Sequence, residues 1–338
     1  MPELATQLGS LSLKTPVVCG AGEHVADDEG LRAAVDAGAA AVVAKSANES
    51  DDARRQWGVR EQLLLDGERR VVERRSAAGV SIFNRSGLVP FPWDEWLAIL
   101  ASADRYAREQ ASYVVASIIP ADPEALPTLA AEVESAGLRW LELNLSAPHA
   151  SESRPGAVGR ADTPEGAAAL TAAVRDAVSI PLTVKLSGDG ADVVALATAA
   201  HAVGADHVAM IGRHMAFVPD LGTREPLLGT FGAISGDWTL PLAMRWVAKT
   251  RLAAGPALPI IGTNGARDGG DVARLLLAGA SAVQIATSVI VEGFEALARI
   301  TDELAAYLAE QGLDARDLVG QAADAATTYE QIALRSSS

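Results

Sequence analysis

Cysteine is almost missing from this chain, with Cys19 its sole representative. One thiol excludes an intrachain disulfide and any four-cysteine zinc or iron–sulfur site. Basic residues are also in short supply: 28 Lys and Arg stand against 43 Asp and Glu, a formal net charge of −15. That balance argues against electrostatic capture of nucleic acid or of an anionic membrane surface. No apolar run reaches membrane-spanning length, and the amino terminus shows no charged-then-apolar signal segment. The expectation is a soluble, cytoplasmic protein without nucleic-acid or membrane partners. An anionic small ligand would need local cations or backbone amides.

What is present is a pattern. Hydrophobic residues make up 49% and charged residues 21%, enough for a sizeable core. Short β-branched runs such as Pro16–Gly20, Ala40–Ala44, Tyr113–Ile118, Leu182–Leu186, His207–Ile211, Pro259–Gly262 and Ser281–Ile285 alternate with Ala-rich helical stretches. Trp140 to Asn144 reads as another strand, and Pro148 ends its pairing. The region from Asn48 to Ser76 is charged and without clear period, which suggests an exposed segment. Gly212 to Asp237 is an irregular stretch, long for a compact domain and therefore a functional candidate.

About eight strand–helix alternations with no domain-sized linker predict an α/β fold, a (β/α)8 TIM barrel, rather than an open sheet. A doubly wound sheet calls for a G-x-G-x-x-G turn, and Gly20-Ala21-Gly22-Glu23-His24-Val25 lacks the third glycine. The whole chain, 1–338, is expected to form one domain, with a core of about 11–304 and a helical extension over 305–338.

In such a barrel Ala21-Gly22, Lys45-Ser46, Asn84, Asn144, Lys185 and Gly262 to Gly265 share the carboxyl-terminal face, where active sites collect. Lys45 and Lys185 put two cations there, suited to an anionic cofactor or to developing negative charge; each alone also reads as a snorkelling rim lysine. Gly262-Thr263-Asn264-Gly265 between a strand and a helix, with Ala286-Thr287 after the last strand, suits a phosphate held on backbone amides. The bland alternative is ordinary turn glycines.

Ala44-Lys45-Ser46, Asn84-Arg85-Ser86-Gly87-Leu88, Glu142 to His149, Val184-Lys185-Leu186, Ile234-Ser235-Gly236, Pro259 to Gly265 and Gly279 to Thr287 occur in order and at sensible spacings. From about Leu11 to Leu304 the chain thereby resembles the FMN-dependent dihydroorotate dehydrogenase family, nearest its soluble class 1 branch. The resemblance implies FMN across the barrel mouth, its phosphate on Gly262, Gly265, Ala286 and Thr287 with Gly236 nearby. It implies Lys185 facing the flavin ring, and Ala21, Gly22 and Ser46 lining it. Lys45, Asn84, Gly87, Leu88 and Asn144 match positions that hold a pyrimidine ring, and a homodimer is expected on the same ground. With one cysteine there is no in-chain cluster, so electrons would leave directly to a small acceptor, oxygen or a partner.

The departures carry weight too. The family's Cys or Ser base falls on Ala147, its second Asn in that loop on His149, and an Asn–Ser/Thr pair is absent near Met210-Ile211-Gly212. Those losses point away from dihydroorotate itself and toward another small cyclic amide or related molecule. His149, His24 or Ser146 could supply the proton step beside Lys45 and Asn144; the substrate could need no base; or the protein could bind FMN without turnover. A flavin-free phosphate barrel using Lys185 or Lys45 as a Schiff-base nucleophile, and a non-catalytic flavin-binding protein, are the readings outside this chemistry.

Overall fold

The computed structural model describes residues 2–50, 54–73, 76–119, 121–146, 162–189 and 192–336. Its centre is a closed barrel of eight parallel strands: β3 (Val17–Cys19), β4 (Ala41–Val43), β7 (Tyr113–Ile118), β8 (Leu141–Asn144), β9 (Leu182–Lys185), β10 (His207–Met210), β13 (Ile260–Thr263) and β14 (Ala280–Ile285). These strands are buried on both faces, which is why they read as runs rather than alternations. The predicted (β/α)8 barrel is the observed fold.

Helices cover the outside, among them α1 (Asp28–Asp36), α2 (Trp93–Glu109), α3 (Leu126–Ser135), α4 (Pro164–Ala177) and α5 (Val193–Ala202). α6 (Leu240–Ala254), α7 (Gly269–Leu277), α8 (Thr287–Glu292) and α9 (Glu295–Gln311) complete the ring. Short polar side chains start them: Asp27, Thr163, Asp192 and Asp268 each accept a first-turn amide. Val17, Leu31, Val114, Leu143 and Leu275 belong to the core between strands and helices.

Two further sheets close the ends. A hairpin, β1 (Thr6–Leu8) and β2 (Leu11–Leu13), pairs antiparallel and packs Leu8, Leu11 and Leu13 against the inward residues Val18, Val43, Trp140 and Ile261. His207, fully buried, ties the plug to the barrel through Nε2 and the Leu8 carbonyl oxygen, 3.0 Å apart. Its other ring nitrogen lies 3.2 Å from Thr183 Oγ1.

The second sheet caps the mouth. It is antiparallel, in the order β11 (His214–Ala216), β12 (Gly232–Gly236), β6 (Ser81–Arg85), β5 (Glu61–Leu65), over a small core of Leu65, Phe83 and Leu228. This corrects two expectations. Asn84 ends no barrel strand; it stands in the cap opposite Ala233 and Gln62. The charged region contributes β5 and the irregular stretch β11 and β12, and Leu65, Phe83 and Leu228 give these segments a small apolar core of their own. Among the described residues no helix is long and apolar enough to cross a membrane.

Candidate active site

Between the barrel mouth and its cap lies a cavity of about 250 Å³. Of the residues singled out from sequence, Ala21, Gly22, Lys45, Ser46, Asn84, Gly87, Leu88, Asn144, Ser146, Lys185, Asn264, Gly265, Ala286 and Thr287 line it. Gly236 and Gly262 do not. A Cβ on Gly262 would meet Leu275 Cδ2 at 3.1 Å and Ala280 Cβ at 3.3 Å, so this glycine lets a helix approach its strand. A Cβ on Gly236 would lie 2.8 Å from the Val80 carbonyl oxygen, a close approach within the cap. His24 is absent from the lining as well. Its Nε2 lies 3.5 Å from Cys19 Sγ, and burial, partly opposed by the charge of Glu23, brings its pKa down to about 4. Ala147 and His149 lie outside the described residues.

The floor is a chain of buried polar groups from five strand ends. Lys185 Nζ donates to Gln284 Oε1 at 3.1 Å, and Gln284 Nε2 donates to Glu142 Oε2 at 3.3 Å. Ser117 Oγ donates to Glu142 Oε1 and lies 2.9 Å from Ser46 Oγ. Asn144 Nδ2 donates to Ser46 Oγ at 3.0 Å, while its Oδ1 accepts from Ser146 N–H and Oγ–H. Each group satisfies the next, which fixes the orientation of Lys185 and Asn144. Glu142, Ser117 and Gln284 were not found from sequence. Inward-pointing polar residues in otherwise apolar runs were the available signal.

The wall under the cap is ionic. Lys45 Nζ donates to Glu23 Oε1 at 3.0 Å and to Ser86 Oγ at 2.6 Å, and Ser86 Oγ–H donates to Glu23 Oε1 at 2.7 Å. Burial raises the Glu23 carboxyl, but Lys45, Arg213 and the Ser86 bond outweigh it and bring its pKa to about 2. Burial lowers Lys45 and Arg213, with Glu23 pulling both back up. Arg213 Nη1 donates to Asn84 Oδ1. Glu23 and Arg213 were also missed: one sits in a single 3-10 turn after β3, the other in the stretch after β10 that sequence left irregular.

The last two loops are shaped for an anion. Asn264 and Gly265 take left-handed backbone conformations, φ 83° and 93°. The Asn264 side chain is already engaged, accepting from Thr239 Oγ1 and donating to the Gly212 carbonyl oxygen, so its loop offers backbone groups. The first-turn amides at Thr287 have no acceptor within their own helix. Gly20, Ala21 and Gly22 bring almost no side chain into the cavity that Lys185 also lines, which leaves room for a flat ring.

By architecture the molecule is a cofactor-binding (β/α)8 barrel with a phosphate-suited pair of loops after its last two strands. A sequence model of the family described as dihydroorotate dehydrogenase matches residues 3–308. The chain is 31% identical over 319 residues, 94% of its length and 97% of the relative's, to the dihydroorotate dehydrogenase B (NAD(+)) catalytic subunit of Pyrococcus furiosus. It is 36% identical to dihydroorotate dehydrogenase A (fumarate) of Lactobacillus helveticus over 57% of this chain and 62% of that one. Against the Bacillus pumilus dihydroorotate dehydrogenase B catalytic subunit the identity is 39%, over 49% and 54%.

The chain belongs to the dihydroorotate dehydrogenase family, flavin-dependent oxidoreductases that act on CH–CH groups with FMN as cofactor. The residues present fit that cofactor: an amide-rich loop pair for its phosphate, a flat small-residue wall for its ring, and one buried lysine for the charge of its reduced form.

Proposed function

We propose that this protein oxidises dihydroorotate to orotate. The observation that carries the reading is the juxtaposition, in one cavity, of Lys185 on the floor with Asn144, Lys45, Asn84 and Arg213 around the space above it. The expectation of a different substrate, drawn from Ala147 and the missing Asn–Ser/Thr pair, has no support among the relatives, which are named dihydroorotate dehydrogenases.

Bound FMN would supply the two-electron acceptor for the substrate's hydride. The chain's own residues orient, exclude water and move a proton. Asn144, held by Ser46 and Ser146, presents a fixed amide to the substrate's ring, and Lys185 stabilises negative charge beneath it. Two serine hydroxyls line the cavity as candidates to take the substrate's proton: Ser86, which accepts from Lys45 Nζ and donates to the Glu23 carboxylate, and Ser146, which donates to the Asn144 amide oxygen. The backbone of Gly265, Ala286 and Thr287 would hold the phosphate.

A homodimer belongs to the same reading. Phe217 and Phe231, each half exposed with ring centroids 5.2 Å apart, and Leu221, 93% exposed, give the cap's outer edge an apolar surface that supports it. The test of function is the visible spectrum of the purified holoprotein under anaerobic dihydroorotate. Bleaching of the flavin bands is expected; bands that stay oxidised would refute the proposed substrate.

A further inference from the structure

The two cations of the wall are not equivalent. Lys45 has its counter-ion, Glu23, at 3.0 Å. Arg213 has no carboxylate within ion-pair distance among the described residues. Its one hydrogen bond among the described residues goes to a neutral amide oxygen, on Asn84. A guanidinium carries five N–H donors and no acceptor, so most of its donors remain open where it lines the cavity. Glu23 acts on Arg213 only from beyond ion-pair distance, so a second anion in the cavity would complete the partners of this buried cation.

Asn84 reinforces the point. Because a guanidinium can only donate, the amide group of Asn84 must turn its oxygen toward Arg213. Its NH2 group is then directed elsewhere, and no protein acceptor among the described residues meets it. Asn84 is itself 2% exposed, lines the cavity and is fixed by pairing on both sides in the cap sheet, to Ala233 and to Gln62. The two residues come from different excursions of the chain and together form an edge that only donates.

We propose that Arg213, held by Asn84, is the residue by which this site selects a ligand bearing a carboxylate. The carboxylate meets the open guanidinium donors and the Asn84 amide hydrogens, while the ring portion lies toward Asn144 and Lys185. This deepens the dihydroorotate reading but rests on it only for the ring shape of the ligand. An acidic protein thereby retains one anion-selective edge, and a neutral ring of the same shape lacks the group that edge requires.

Two ligands of the same pyrimidine ring separate the cases: orotate, which has the carboxylate, and uracil, which does not. Isothermal calorimetry on the holoprotein measures binding without turnover. The wild type should bind orotate more tightly than uracil. Arg213→Gln should weaken orotate by about 10- to 100-fold, the range of a charge-assisted contact, and leave uracil within about twofold. Arg213→Lys, which keeps the charge but not the fork, should recover part of the loss and guards against a folding defect in the first variant.

Equal losses for both ligands, or no loss for orotate, would overturn the proposal. So would release of flavin from both variants with orotate affinity intact once FMN is restored, since Arg213 would then serve the cofactor. Retained discrimination in a protein that dihydroorotate fails to reduce would sink the proposed reaction and leave this inference standing.

Discussion

Replacing Glu23 by glutamine removes the only negative charge between Lys45 and Arg213 among the described residues, while keeping the side chain's size. The Glu23 pKa falls from 4.5 to about 2 in the folded protein. That difference, at about 1.4 kcal/mol per unit, corresponds to about 3 kcal/mol of stability. Breaking a buried pair by deleting one partner costs a similar amount, roughly 3–5 kcal/mol. The Glu23 side chain is 24% exposed and Lys45 only 8%, so solvent screens part of the effect. A loss of about 2–3 kcal/mol at pH 7 is expected for Glu23→Gln, read by urea denaturation with far-UV circular dichroism. The sign with pH is fixed: a depressed carboxylate contributes fully above its unfolded pKa of 4.5 and ceases to contribute as pH falls toward 2. Wild type and variant should therefore converge between about pH 5 and pH 2. A penalty under about 1 kcal/mol at pH 7, or a gap that does not change with pH, would refute the ionic account of this wall.

Four other substitutions test three separate parts of the structure. Of Ser86→Ala and Ser146→Ala, the one that removes the proton acceptor should slow anaerobic flavin reduction by dihydroorotate on the order of 10²-fold in stopped flow; unchanged rates in both would reject a serine base. Gly265→Ala asks for a Cβ 2.4 Å from the Leu240 backbone nitrogen at φ 93°, so the purified protein should carry markedly less FMN per chain. His207 is held neutral, its pKa lowered to about 4 by burial with Asp206 opposing, so stability it contributes above pH 6.5 is lost as pH falls toward 4. Its share between pH 7 and pH 5 is about 2 kcal/mol, and His207→Gln should show a flatter fall in denaturation midpoint over that range.

The barrel was legible because its strands have a cause visible in one dimension: buried on both faces, they must be continuous apolar runs broken at regular intervals by helices. Lys45, Asn144 and Lys185 were legible as strand-end residues for the same reason. The cap was not. Glu61-Gln62-Leu63-Leu64-Leu65 is solvated at its start and buried only at Leu65, so its run blends into the charged residues beside it. Asn84 was selected for the right cavity through the wrong strand assignment. Ser10 follows Gly9 between Gln7-Leu8 and Leu11-Ser12, a two-residue turn that could have disclosed the plug. Glu23 and Arg213 stayed hidden because pairing across the mouth, 23 with 45 and 84 with 213, exists only after the barrel has closed.

The cap is threaded from two distant parts of the chain, β5 and β6 from one excursion and β11 and β12 from another, joined only along β6 and β12. Neither half can hydrogen-bond its inner edge until the other arrives, and each leaves from a different barrel strand. The ligand edge formed by Asn84 and Arg213 therefore exists only when both excursions are in place. A chain nicked or shortened in either excursion would keep a barrel able to hold phosphate yet lose the geometry that reads the ligand, uncoupling retention of the cofactor from recognition of the substrate.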